Sequence, residues 1–98
     1  MKKEAQEAVM WAIRRDLGKK QIRGTAVDLE YIYYEVDRRR DHDNVSGFAH
    51  KIIQAALVDT DVLNGDGWKE IRDTTDRFRV DKKHPRIEVI IREVDEDG

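Results

Sequence analysis

Apolar residues in the first part of the chain recur at intervals of three and four positions. Between Lys3 and Leu17 this spacing puts them along one side of a helix, and Gly18 follows as a suitable C-terminal cap. The apolar positions are Ala5, Ala8, Val9, Ala12, Ile13 and Leu17. The pattern predicts an amphipathic first helix, and Trp11 is expected to join its buried side.

After a polar turn that ends at Gly24, apolar residues recur at every second position. The segment from Thr25 to Val36 is rich in β-branched and aromatic residues, which favour strands. One face carries Val27, Leu29, Tyr31 and Tyr33, and the far end of the other carries Ile32, Tyr34 and Val36. Apolar residues on both faces predict a central strand, with Tyr31 and Tyr33 in the core.

Helical spacing returns from Val45 to Val58, where Asp43 or Asn44 is placed to cap the helix. Its predicted buried side comprises Val45, Phe48, Ala49, Ile52, Ile53, Ala56 and Leu57. A loop from Asp59 to Gly67 follows, because it holds asparagine, aspartate and two glycines. The last two predicted elements are strands over 68–80 and 86–94. The polar middle of the first, residues 72–79, predicts an edge strand or a mobile ribbon.

The predicted order is therefore α-β-α-β-β, which gives an α+β fold. A two-layer arrangement, with a small mixed sheet and both helices on one face, packs these elements most economically. We expect one domain over residues 1–94 and an acidic tail over 95–98. A chain of 98 residues buries a small core, so a homodimer is expected.

Composition narrows the class of protein. Charged residues make up 41% of the chain, but 19 basic and 21 acidic side chains leave a net charge of -2, which argues against indiscriminate nucleic-acid binding. The absence of cysteine excludes disulfides, thiolate metal sites and cysteine nucleophiles. No apolar run is long enough for a membrane span, and no signal-peptide pattern is present. We expect a soluble, cytoplasmic protein.

Acidic residues are concentrated where the predicted strand meets the second helix. Asp41-His42-Asp43-Asn44 stands at this corner, and Asp66 follows in the loop beyond the helix. If the backbone is extended, two carboxylates one residue apart can face one Mg²⁺ ion, and a third would complete an oxygen-rich site. Helix capping and a solvated turn also explain the tetrapeptide. Asp59 and Asp61 compete with Asp66 for the third place. A calcium loop counted from Asp41 fails at its fifth, sixth and twelfth positions, and one counted from Asp59 fails at its fifth and sixth.

Basic residues precede the acidic corner. Arg38, Arg39 and Arg40 could draw a DNA backbone towards carboxylates that would otherwise repel it. The alternative is that they pair with Asp37 or Asp41. His42 is expected to be solvated.

Three linked motifs resemble the RusA family of Holliday-junction resolvases. They are the basic run followed by D-x-D-N over 37–44, a helix with Lys51 that ends Ala-Ala-Leu57, and the step Val62-Leu-Asn-Gly-Asp66-Gly-Trp68. The resemblance covers residues 36–71. It implies a homodimeric, Mg²⁺-dependent endonuclease, with Mn²⁺ as a possible substitute, that resolves four-way DNA junctions. It assigns metal binding to Asp41, Asp43 and Asp66, and a catalytic and DNA-binding role to Lys51.

The chain departs from that family at several positions. Ala55 stands where many members have a further aspartate, Gly65 stands where some have the first of two paired aspartates, and Lys51 follows the asparagine by two helical turns instead of one. Family members also usually begin with a strand that precedes the first helix. A non-catalytic DNA-binding or assembly module that keeps the fold is therefore a second hypothesis.

Overall fold

The structure is a computed structural model that describes residues 2–39, 42–67 and 69–94, with the backbone alone for residues 2–4 and 43. The acidic tail predicted over 95–98 lies outside these residues. The order α-β-α-β-β is confirmed. The elements are α1 (Lys2–Leu17), β1 (Val27–Glu35), α2 (His42–Asp59), β2 (Ile71–Val80) and β3 (Arg86–Glu93).

Helix α1 ends where the sequence predicts. Gly18 adopts a left-handed φ of 61°, and its N–H donates to the carbonyl of Arg14 at 2.9 Å. Glycine adopts this conformation without the steric cost that a Cβ would add. The turn directs the chain towards Ile22, whose N–H donates to the carbonyl of Val62 at 2.8 Å and holds the loop against the end of α2.

Helix α2 begins three residues before its apolar spacing starts. Its first turn contains Asp43 and Asn44, so neither residue stands before the helix as a cap. His42 and Asn44 are exposed, which explains why the apolar pattern gives no sign of this turn. The backbone at Asp43 is helical rather than extended, contrary to the geometry expected for two carboxylates facing one ion.

The sheet is mixed, with strand order β2-β1-β3. Strand β1 pairs in parallel with β2 and antiparallel with β3, so the prediction of a central strand is confirmed. Strand β2 is an edge strand, as its polar middle indicated. A bulge lies between Val27 and Asp28, where β2 contributes one more residue than β1.

The core lies between one face of the sheet and the helices. Strand β1 buries every second residue from Val27 to Tyr33, and α2 covers them with Ala49, Ile53 and Leu57. Val62 and Leu63 close the core from the loop after α2, at 0% and 1% exposure. The prediction that Trp11 and Phe48 lie in the core is wrong, since Trp11 is 64% exposed and Phe48 is 55% exposed. Trp11 lies on the side of α1 away from Val9 and Ile13, and Phe48 lies at the margin of the buried side of α2, so helical position outweighs apolar character at both.

The other face of the sheet is held by ion pairs between strands. Glu30 on β1 accepts hydrogen bonds from Arg92 on β3 and Arg77 on β2, both at 2.8 Å. Asp28 accepts two from Arg72, at 2.6 and 3.1 Å. The hydrogen bonds from Arg92 and Arg77 hold the pKa of Glu30 below its usual value, and that from Arg92 has the larger effect. None of the described helices is long and apolar enough to cross a membrane.

Candidate functional site

A cleft lies at the carboxyl ends of β1 and β2. Its volume is about 670 Å³, and it is lined by Glu35, Asp37, Arg38, His42, Phe78, Arg79 and Val80. The N–H of Asp81 donates to the carbonyl of Glu35 at 2.8 Å and fixes the two strand ends side by side. Ligands of open α/β sheets bind outside the carboxyl ends of parallel strands, so the cleft is the leading candidate site.

The cleft presents cations on two sides. Arg38 reaches it from the segment after β1, and Arg79 reaches it from the end of β2. The Nη1 of Arg79 donates to the carbonyl of Phe78 at 2.9 Å, which leaves its other guanidinium donors for a ligand. Two guanidinium groups that line one cleft suit the phosphates of a nucleic-acid strand, and the carboxylates of Glu35 and Asp37 line the same cleft.

Arg39 takes the alternative role expected for the arginine run, which is pairing with Asp37. Its backbone N–H donates to Oδ1 of Asp37 at 2.9 Å, and its Nε lies 3.7 Å from Oδ2. The Arg39 side chain is nevertheless 91% exposed, and an exposed ion pair contributes little to stability. A phosphate could therefore displace this pair at small cost. Arg40 lies outside the described residues.

Aromatic rings form the wall of the cleft. The His42 ring stacks on Phe78 with centroids 3.6 Å apart and planes 3° apart. Phe78 stacks in turn on Tyr33 at 4.6 Å. His42 is exposed, as predicted, but it packs on an aromatic neighbour. This stack ties the first turn of α2 to the end of β2 and so defines one side of the cleft.

Below the stack lies a polar cluster that the sequence did not indicate. The carboxylate of Asp76 contacts Nε2 of His50 at 2.7 Å and accepts the hydroxyl of Tyr33 at 2.7 Å. His50 stacks on Tyr31 at 4.3 Å, and Gln54 donates to the Tyr31 hydroxyl at 3.2 Å. Burial, and then the bond to Asp76, raise the pKa of Tyr33, and burial raises that of Tyr31.

This cluster links α2 to β1 and β2. Within the described part of the chain, no buried side-chain nitrogen or oxygen lacks a hydrogen-bond partner. The side chains of Asp76 and His50 bond to each other and are 28% and 27% exposed. The only hint in the sequence was an aspartate on the helix-facing side of a predicted edge strand.

The structure separates Asp66 from the acidic corner. Asp66 is exposed and stands just before Gly67, whose carbonyl accepts the N–H groups of Glu70 and Ile71 at the start of β2. Asp43 lies in the first turn of α2, next to the carboxyl end of β1. Because β1 and β2 are parallel, Asp43 and Asp66 lie at opposite ends of these strands. The nine residues of β1 span roughly 30 Å between the two ends.

One chain therefore does not gather the three predicted aspartates around one ion. Asp41 and the side chain of Asp43 lie outside the described residues, and among those described no three acidic or histidine side chains are grouped to hold a metal. The competing Asp59 accepts a hydrogen bond from Gln6, and Asp61 accepts one from Arg23 at 2.7 Å.

Lys51 is exposed on α2. It lies nine residues after the start of the helix, about 14 Å along its axis at 1.5 Å per residue. Its side chain is free of the core and can meet a charge at the surface. A DNA contact at Lys51 remains a prediction.

Comparison of the chain with protein-family models and with curated proteins finds no match.

Proposed function

We propose that the chain is a Mg²⁺-dependent DNA endonuclease that acts on four-way junctions as a cytoplasmic homodimer. The observation that carries the proposal is the cleft at the carboxyl ends of the parallel strands. Arg38 and Arg79 line it together with His42, the second residue of the D-x-D-N motif. A nuclease needs cations that hold the DNA backbone next to carboxylates that hold an ion.

The geometry limits which aspartates enter the proposal. Asp41 enters the proposal by its place in the sequence motif alone. Asp43 lies in the first turn of α2, next to His42 in the lining of the cleft, whereas Asp66 lies at the other end of the parallel strands of the same chain. Asp66 can therefore act in this site only from a second chain. A symmetric pair would also present two equivalent sites, as paired incisions in a junction require.

A binding assay tests the cleft first. We expect Arg38→Ala and Arg79→Ala each to weaken binding to a labelled four-way junction and to lower the slope of log K against log salt by about 1. Arg15→Ala is the matched control, because Arg15 lies on α1 and pairs with its neighbour Asp16. An unchanged slope in both cleft variants, or an equal change in the control, would refute the assignment.

A cleavage assay tests the chemistry. Wild-type chain with Mg²⁺ should cut the junction, and Asp43→Asn should bind it without cutting. Loss of cutting in Asp66→Asn, with binding retained, would indicate that Asp66 acts from a partner chain, whereas unchanged cutting would remove it from the site. Salt-sensitive junction binding without cleavage by the wild type would favour the non-catalytic DNA-binding module, which the separation of the aspartates in one chain also favours.

A further inference from the structure

The outer edge of β3 is unpaired in the described chain, and it borders an apolar groove. Strand order β2-β1-β3 leaves β3 with one strand neighbour. The groove, about 340 Å³, runs between α1 and the helix-facing side of β3, where Ile13, Leu17, Ile87, Val89 and Ile91 line it. Ile87 is 46% exposed, and Ile90 on the other face is 36% exposed. An edge strand with this much apolar surface is a template for pairing with another strand.

The two edges of the sheet differ in how they admit a partner. Both edge strands carry charges at half of their positions, five of ten in β2 and four of eight in β3, so the overall charge does not distinguish them. The difference lies in the helix-facing row, which in β2 contains Thr74 and the charged Asp76, and charged residues discourage edge pairing. The helix-facing row of β3 between Ile87 and Ile91 is wholly apolar. The open edge suited to burial is therefore that of β3.

We infer that β3 pairs antiparallel with β3 of a second copy, so that two chains form one six-stranded sheet. The N–H of Val94 donates to the carbonyl of Ala26 at 2.8 Å, and this bond shows which residues of β3 direct their backbone groups towards β1. Because hydrogen-bonding direction alternates along a strand, even-numbered residues of β3 face β1 and odd-numbered residues face outwards. Residues 87, 89, 91 and 93 thus present free N–H and C=O groups.

One register satisfies these groups best. With Ile90 opposite Ile90 of the partner at the two-fold axis, residue 87 faces 93 and residue 89 faces 91, which gives about eight inter-chain hydrogen bonds. Centring the axis on Val89 or Ile91 leaves about six. The Val89-centred register also places Arg86 against Arg92, whereas the Ile90-centred register places Glu88 against Arg92 on both sides of the axis.

The register also completes the apolar surface. Val89 of each chain lies beside Ile91 of the other, within the groove bordered by α1. The pairing is isologous and closes as a dimer, while the charged edges of β2 remain outermost. It turns the two sheets in opposite directions, so the cleft of each chain lies at the same end of the joined sheet as Asp66 of the partner subunit, but four to five strand spacings, roughly 20 Å, away from it. This dimer therefore does not bring that aspartate into the cleft. The inference itself does not depend on the proposed cleavage activity.

Self-opposition of Ile90 gives a direct test by sedimentation velocity. Ile90→Lys alone and Ile90→Glu alone would each place like charges at the axis, and we expect the association constant to fall at least about 100-fold. An equimolar mixture of the two should recover the dimer, because unlike charges then meet. Far-UV circular dichroism checks that each variant is folded, and Arg77 and Arg92 beside Glu30 offset the added carboxylate.

The matched controls are Thr75→Lys and Thr75→Glu, at the middle of the exposed edge strand β2, which should leave the dimer unchanged. A wild-type chain that stays monomeric at every concentration would overturn the inference. So would dimers that survive in both Ile90 variants, failure of the mixture to recover association, or dissociation caused by the Thr75 changes. Each result is read without a DNA substrate, so loss of the interface and loss of the proposed activity are distinguishable.

Discussion

The hydroxyl of Tyr33 provides a sharp test of the polar cluster beneath α2. The Tyr33 side chain is 1% exposed, and its hydroxyl donates to Asp76 at 2.7 Å. A hydrogen bond to a charged group contributes about 1.5–3 kcal/mol. The Asp76 side chain is 28% exposed and can regain water, so the lower end of that range applies. We expect Tyr33→Phe to lower the free energy of unfolding by about 1.5 kcal/mol.

Urea denaturation at one fixed chain concentration measures this change. With an m-value of about 1.5 kcal/mol/M, the midpoint should fall by about 1 M while m stays constant. Tyr34→Phe is the matched control. Tyr34 is the adjacent residue on the opposite face, where its ring lies 3.8 Å beneath the guanidinium of Arg86. Removing that hydroxyl should change stability by less than about 0.5 kcal/mol.

A second background tests the cause of the loss. In Asp76→Ala the Tyr33 hydroxyl has lost its acceptor, and a buried hydroxyl without a partner is itself destabilising. Tyr33→Phe should then be close to neutral, or stabilising. Equal losses in the wild-type and Asp76→Ala backgrounds would refute the assignment of the energy to this hydrogen bond.

Four further changes probe the rest of the fold. Leu57→Ala, at 2% exposure, should cost about 2–5 kcal/mol in urea denaturation, whereas Trp11→Ser, at 64% exposure, should change stability by less than about 0.5 kcal/mol. Gly18→Ala should cost about 1 kcal/mol, because the residue keeps a φ of 61°. Glu30→Gln should lower the melting temperature at neutral pH. The pKa of Glu30 is lower in the folded chain than its unfolded value of 4.5, so the carboxylate stabilises the fold fully above pH 4.5. This stabilisation is lost as the pH falls through the folded-state pKa. The difference in melting temperature between wild type and Glu30→Gln should therefore disappear in acid.

Periodicity predicted the elements because one side of each faces a single core. Apolar residues on both faces of the segment 25–36 predicted a central strand, the polar middle of residues 72–79 predicted an edge strand, and both are confirmed. The same reasoning failed for Trp11 and Phe48. Each has the apolar character of the core but lies beyond the surface that its helix buries.

The candidate site was harder to predict because it depends on direction and on distant partners. The sequence suggested that Asp43 and Asp66 converge on one ion. However, α2 connects two parallel strands, so the loop before the helix and the loop after it lie at opposite ends of those strands. Arg38 and Arg79 line the same cleft although they are 41 positions apart in the sequence. His50 contacts Asp76, which follows it by 26 positions. No local pattern encodes such contacts.

The central position of β1 has a consequence for synthesis of the chain. Both of its neighbours come from residues 71–93, so β1 leaves the ribosome long before either strand that will hold it. Contacts between distant parts of a sequence slow folding, and unpaired strand edges aggregate. We expect nascent chains that end before residue 71 to keep both sides of β1 unpaired and to need protection until the last third has been translated.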